Sequence, residues 1–282
     1  MPGGTTVIQI IGVDAEQINK LPLTDMQRAI VRQRQNSPRI YRFSSLDALL
    51  FELAMRENIV QAAKALYNGD AGFAVFDRSR CNERLWERTP NGGFQLRPGV
   101  RPSDGINDIF ENGRMYAFEC ATAMVLILYK AVLETIGKEK FDTYFPDLYV
   151  RDWHYDSDLQ LVTAYDNNEA TYGDVLYFKN PDHNPETPEW QGENAIMIGN
   201  DLYFGHGIGI RTGEEMIASL NRKRVPFSMQ SAYLTDQVNH PSFEHLRNIA
   251  ARGTEPMLAY LQGDVIARVG SHGYSHYFLP TA

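Results

Sequence analysis

The order of hydrophobic patterns along the chain predicts an α+β fold: helices first, then a buried helix headed by a cysteine, then mostly antiparallel strands. Three observations carry this. Leu46, Leu49, Leu50 and Leu53 recur at helical spacing behind Ser44 and Ser45. The stretch from about Ala121 to Ile136 is apolar nearly all round, which marks a helix enclosed by protein on every side. Beyond residue 148 short strand-like runs follow one another, separated by turn residues.

In chain order, Thr5 to Val13 reads as a short strand, and Thr24 caps a helix to about Gln35. Ser44 or Ser45 opens the longer helix, which closes near Asn68-Gly69. Gly72 to Phe76 reads as a buried strand. Leu85–Thr89 and Phe94–Arg97, split by Pro90-Asn91-Gly92-Gly93, form a hairpin with a longer loop. Ser103-Asp104 starts a short helix that stops at Asn112-Gly113, and Gly137 suits the position just past the central helix. Strands are expected over Leu148–Tyr155, Leu159–Ala164, Asp174–Lys179, Asn194–Ile198 and Leu202–Phe204. Thr212 and Glu215 make a capping box for a helix to about Asn221. Gln230 to Ala282 is less periodic, with a helix around Ser242–Ala251 and strands after it.

The 282 residues are 43% hydrophobic and 22% charged, enough for one substantial core, and no repeat or low-complexity linker divides them. A net charge of -8 and the absence of basic tracts argue against a nucleic-acid partner. The longest apolar run, around Ala121–Leu128, is far shorter than the about 20 residues that span a bilayer. The N-terminus lacks the pattern of a signal peptide, so a cytoplasmic protein is expected. Its two cysteines, Cys81 and Cys120, are then thiols.

Cys120 stands at the start of the central helix, between Glu119 and Ala121. Free N–H groups and the helix dipole stabilise a thiolate there and can lower its pKa to about 3.5–7.5. The same donors can hold an oxyanion. A small buried hydrophobe is the competing explanation for Cys120. Cys81, in a polar loop, reads as an incidental surface thiol. Glu119 is either a dipole-complementing residue or a second acid/base beside the thiol.

A second cluster runs from Trp190 to Gly207. Read as a hairpin, a Gly199-Asn200 turn sets Glu193 opposite His206, and an Asn200-Asp201 turn leaves them diagonal on one face. A three-residue loop would put them on opposite faces. Gly192, Gly205 and Gly207 leave open backbone that suits a ligand channel, or simply serve a twisted ribbon. His154 competes as a base, but in an alternating strand Trp153 is the residue expected to face the cleft. His183, His240, His245, His272 and His276 read as loop or surface residues. Asp156 and Asp158 lack the glycine and closing glutamate of a calcium loop, and no metal or cofactor motif appears.

Taken together, Glu111-Asn112-Gly113, Tyr116-Ala117-Phe118-Glu119-Cys120-Ala121-Thr122-Ala123, Asp152-Trp153-His154-Tyr155 and Gly192-Glu193-Asn194 resemble one family. Tyr203-Phe204, His206-Gly207 and Gln230-Ser231-Ala232-Tyr233-Leu234 extend the match in register. The family is the small transglutaminases of spore-forming bacilli, which cross-link spore coat proteins. The resemblance implies a single domain over 1–282 with a papain-like (NlpC/P60-type) core over about 43–234 and a C-terminal extension over about 235–282. It implies Cys120 as nucleophile, Glu193 as principal acid/base, Glu119 as a secondary carboxylate and His206 nearby. It also implies an aromatic-walled tunnel to which Phe73, Trp153, Trp190 and Tyr177 map, with Asn194 beside the substrate. No cofactor and no calcium are expected. The partners implied are proteins with reactive glutamine and lysine side chains, met by a monomer made in the mother cell and deposited in the spore coat. Gln191 stands where the family carries a basic residue. A cysteine peptidase or amidase on the same core, or an inactive coat protein, are the alternatives.

Overall fold

The computed structural model describes residues 8–13, 15–252, 265–269 and 272–275. A short parallel pair, β1 (Ile8–Ile10) with β2 (Tyr41–Phe43), flanks α1 (Ala15–Ile18) and α2 (Asp25–Gln35). The first three residues of the expected strand from Thr5 lie outside the described residues. Thr24 caps α2 in a capping box: its hydroxyl accepts the Gln27 N–H at 3.2 Å and the Gln27 side chain returns to the Thr24 N–H. Ser45 Oγ accepts the Ala48 N–H at 3.1 Å and so opens α3 (Leu46–Asn68). Its end is locked to the segment that leads to Cys120. A Cβ at Gly113 would lie 1.6 Å from the Gly69 carbonyl oxygen, so only glycine allows the approach.

β3 (Gly72–Phe73) is shorter than the expected strand to Phe76, and half-buried. The chain turns at Phe76–Arg78 because the Arg88 guanidinium gathers the carbonyls of Phe76, Asp77 and Ser79. The hairpin of β4 (Trp86–Arg88) and β5 (Phe94–Leu96) forms as expected. α4 (Pro102–Glu111) carries proline in its first turn, where the missing N–H has no intrahelical partner to lose. β6 (Ala117–Phe118) pairs in parallel with β3, and the chain passes directly into α5 (Cys120–Ile136). Gly137, at φ +84°, ends α5 and admits α6 (Lys138–Tyr144).

The expected strand Leu148–Tyr155 is cut to β7 (Tyr149–Val150). Asp152, at φ +53°, and Trp153 form a tight turn closed by the His154 N–H on the Arg151 carbonyl at 2.9 Å. Next come β8 (Leu161–Tyr165), β9 (Val175–Lys179), β10 (Gly192–Gly199), β11 (Leu202–Gly205), β12 (Gly209–Arg211), α7 (Gly213–Asn221), β13 (Tyr233–Pro241) and α8 (Phe243–Ala251). One antiparallel sheet takes the order β12-β11-β10-β9-β13-β8. β13 thus runs across residue 234 and lies between β9 and the edge strand β8, and α8 packs on the core. A hairpin of β14 (Val265–Val269) and β15 (His272–Ser275) follows. The remaining residues of the expected extension, His276 among them, lie outside the described residues.

β10 is buried on both faces. Ile196 and Ile198 meet the large cluster built on α3 and α5, while Ala195 and Met197 join Phe178, Met216 and Leu220 on the other side. Burying each large aliphatic side chain stabilises by about 1.5–3 kcal/mol. The alternation also sets the site: Asn194 shares the face of Ile196, turned toward α5, and Glu193 the face of Ala195.

Candidate active site

Cys120 is the first residue of α5, half-buried, at the wall of a cavity of about 490 Å³. Phe73, Trp153, Tyr177 and Asn194 line that cavity, with Glu119, Asp152, Gln191 and Gln237 at its polar edges. Trp190 stands elsewhere. It stacks on Phe73 at 5.5 Å, lies under the Lys223 ammonium at 4.8 Å, and lines a neighbouring cavity with Arg78 and Arg80. Trp153 reaches the cavity because Thr122 Oγ1, on the first turn of α5, accepts the Asp152 N–H at 2.8 Å and pins the turn. His154 points away, exposed against Tyr149.

The helix start does not do to Cys120 what its position in the sequence predicts. Burial pushes the thiol well above its ordinary range, and the charges of Glu193 and then Glu119 push the same way. Only Asn194 opposes them, through its backbone N–H and through Nδ2, 3.6 Å from Sγ. The free N–H groups expected at the helix start are largely taken. Glu119 is the N-cap, and its carboxylate accepts the Ala121 N–H at 2.7 Å and the Thr122 N–H at 2.6 Å. These effects hold the Cys120 thiol in its protonated form.

Glu193 is 1% exposed and carries one hydrogen bond, the Gly207 N–H donating to Oε1 at 3.0 Å. Oε2 is buried and has no hydrogen-bond partner among the described residues. Burial pushes its carboxyl up to about 8, with the Gly207 N–H working against this and the charge of Glu119 adding to it. No hydrogen bond joins Glu193 to Sγ, but its charge is felt there. Gly205 and Gly207 make room for this carboxyl, and Gly192 lines the cavity. A Cβ at Gly205 would lie 2.6 Å from Oε1, and one at Gly207 would lie 3.2 Å from Oε2. At Gly192 it would lie 2.2 Å from the Tyr177 hydroxyl.

Glu193 and His206 do not pair. The turn is Asn200-Asp201, with Gly199 opposite Leu202, but a bulge at Ile198 shifts the register so that Ala195 faces Gly205. Continued along the ribbon, that register sets Glu193 against Gly207. His206 instead bonds through Nε2 to the Gly72 carbonyl at 3.1 Å and stacks on Phe118 at 4.7 Å. Burial pushes its imidazole down to about 4, with the Gly72 carbonyl and then that of Phe118 working against this. The ring is neutral near pH 7 and ties β11 to the β3–β6 pair beneath the cavity. Cys81, expected at the surface, is buried, and burial pushes its thiol up to about 11. Sequence reasoning missed Thr122, Gly207 and the clamp of Glu119, all of which act through backbone N–H groups.

Over residues 7–250 the chain matches the family model described as protein-glutamine gamma-glutamyltransferase. It is 44% identical over 237 residues to a protein-glutamine gamma-glutamyltransferase of Bacillus pumilus, covering 84% of this chain and 96% of that one. To one of Halalkalibacterium halodurans it is 39% identical over 280 residues, 98% of each chain. A solved transglutaminase from Geobacillus stearothermophilus, without its C-terminal extension, superposes with a TM-score of 0.70 at 49% identity, covering 74% of this chain and 100% of that one. A match this long, to relatives covered almost end to end and to a solved transglutaminase of the same fold, leaves one assignment: the chain belongs to the protein-glutamine gamma-glutamyltransferase family, acyltransferases with a papain-like α+β core.

Proposed function

We propose that this protein joins glutamine to lysine side chains of proteins through a thioester on Cys120, with Glu193 moving the protons. The observation that carries the proposal is the pairing of a buried, protonated thiol with a buried carboxyl held near 8 whose Oε2 has no partner. A carboxyl near 8 can both take and return a proton near neutral pH, and the uphill transfer from the raised thiol is drawn forward by formation of the Sγ–C bond.

In the first half-reaction ionised Glu193 takes the Cys120 proton as Sγ attacks the glutamine amide carbon. The C=O pair moves onto oxygen, then returns as the C–N bond breaks, and Glu193 returns the proton to the leaving nitrogen, which departs as ammonia. In the second, a neutral lysine amine attacks the thioester. Glu193 accepts its proton and passes it to Sγ as the thiol leaves, giving the isopeptide bond. A lysine amine has an ordinary pKa of about 10.4, so it needs both the base and desolvation. The aromatic walls of Phe73, Trp153 and Tyr177 supply an apolar passage that also disfavours water as acceptor.

Glu119 is the weaker candidate for proton transfer because both its oxygens are engaged with α5 N–H groups. His206 acts by orientation, since it stays neutral across the working range. The resemblance further supports spore coat proteins as substrates, deposition in the coat, a monomeric enzyme and activity without calcium.

The test is incorporation of a fluorescent primary amine into casein, run in chelator with and without a thiol-blocking reagent. Cross-linking in chelator, lost on thiol blocking and in Cys120→Ala, is the expected result. Hydrolysis of glutamine without amine incorporation would move the protein to the amidases. No turnover of either kind would make it an inactive coat protein.

A further inference from the structure

Two of the N–H groups expected to cradle an oxyanion are occupied. Glu119 holds those of Ala121 and Thr122 at 2.7 and 2.6 Å, and the Ala123 N–H reaches the Glu119 carbonyl at 3.1 Å. These contacts leave the N–H of Cys120 as the uncommitted donor on the first turn of α5 among the described residues. An oxyanion hole needs more than one donor, aimed where oxygen becomes negative. The second must come from outside the helix.

We propose that the side-chain amide of Asn194 is this donor, and that with the Cys120 N–H it forms the oxyanion hole. This rests on the reading of Cys120 as nucleophile. Asn194 stands on β10 facing α5 and is 9% exposed at the cavity wall. Its Nδ2 lies 3.6 Å from Sγ, and among the described residues its side chain makes no other hydrogen bond. The backbone is fixed by pairing with Tyr177 of β9, so the amide is presented by a rigid strand. As the Sγ–C bond forms, sulfur gives up its lone pair to carbon while the C=O pair becomes the charge on oxygen, one bond away. Nδ2–H then follows the charge from sulfur to oxygen. When the C=O re-forms and the nitrogen leaves with the Glu193 proton, the amide returns to Sγ. One residue thus serves both the attacking thiolate and the intermediate.

Asn194→Ala removes the donor, and Asn194→Asp keeps the shape but replaces Nδ2 by an oxygen. Both are expected to lower kcat for amine incorporation by about 10²–10³-fold while KM for the glutamine donor stays within about threefold. Labelling of Cys120 by iodoacetamide, located by peptide mass, reports that the cavity is still folded in each variant. A kcat within about threefold of wild type, measured on unlabelled protein of either variant that passes this check, would overturn the proposal, as would a loss confined to KM. Failure here leaves Cys120→Ala inactive, whereas an active Cys120→Ala would overturn the nucleophile assignment itself.

Discussion

Two buried glutamates in this molecule titrate in opposite directions. Glu52 lies between α2 and α3, where it pairs with Arg34 and with the Nε of Arg56 at 2.8 Å. Burial would raise its carboxyl, but the guanidinium charges of Arg34 and Arg56 overcome it and hold the group at about 2. Arg56 also binds Asp174 at 2.7 Å and stacks over Phe243, so the cluster ties α3 to β9 and α8. Glu193 is the more deeply buried of the two, has one N–H in place of two guanidiniums, and sits near 8. The difference is the presence of cations. The first region uses its charges to define packing; the second leaves one oxygen unpaired, and so available to carry a proton.

The largest effect should come from removing the titration at Glu193. Glu193→Gln is expected to reduce amine incorporation at least about 10³-fold, and Glu119→Gln about 10-fold, with melting temperatures checking that both fold. The reverse order would exchange their roles.

Breaking the other region should leave chemistry alone and harm the fold. Arg56→Met leaves Asp174 without its cation in the core and Glu52 with Arg34 alone, and is expected to destabilise by about 3–5 kcal/mol in urea melts. Its kcat at low temperature should match wild type. A stable, inactive Arg56→Met would mean that the cluster reaches into catalysis.

The contrast also predicts stability against pH. Because the folded state holds a proton on Glu193 that the unfolded chain releases near 4.5, its contribution is full below that value and is lost as pH rises to about 8. Wild type should lose on the order of 4 kcal/mol from this group between pH 5 and pH 9. Glu193→Gln should lack that slope. Activity runs the other way: kcat/KM should rise toward an apparent pKa of about 8 as Glu193 ionises. The smallest effect is at His206. Neutral above about 4, it adds no limb to the profile between pH 5.5 and 9, and His206→Gln should cost about 10-fold or less with the midpoint unmoved.

How much of this was legible depended on how local the cause was. The capped starts of α2, α3 and α7 followed from adjacent residues, and α5 followed from its apolar composition. The positions of Cys120 and Glu193 came from a resemblance spread over the chain. What stayed hidden was set by distant parts of the molecule. The bulge at Ile198, which uncouples Glu193 from His206, depends on how β10 meets β11. The turn at Asp152, which delivers Trp153, depends on Thr122 thirty residues earlier. The rise of the Cys120 thiol follows from burial and two carboxylates, and it reverses what the helix start alone implies. Glu119 then uses up the donors that the same helix start offered.

The central claim is that Cys120 carries the acyl group and Glu193 moves its proton. Intact-mass measurement after mixing the protein with a glutamine peptide, in the absence of any amine, tests it directly. Wild type should gain the mass of the peptide less ammonia, mapped to Cys120. Cys120→Ala should gain nothing, and Glu193→Gln should acylate at least about 10³-fold more slowly. An adduct on Cys81, or one that forms in Glu193→Gln at the wild-type rate, would contradict the account.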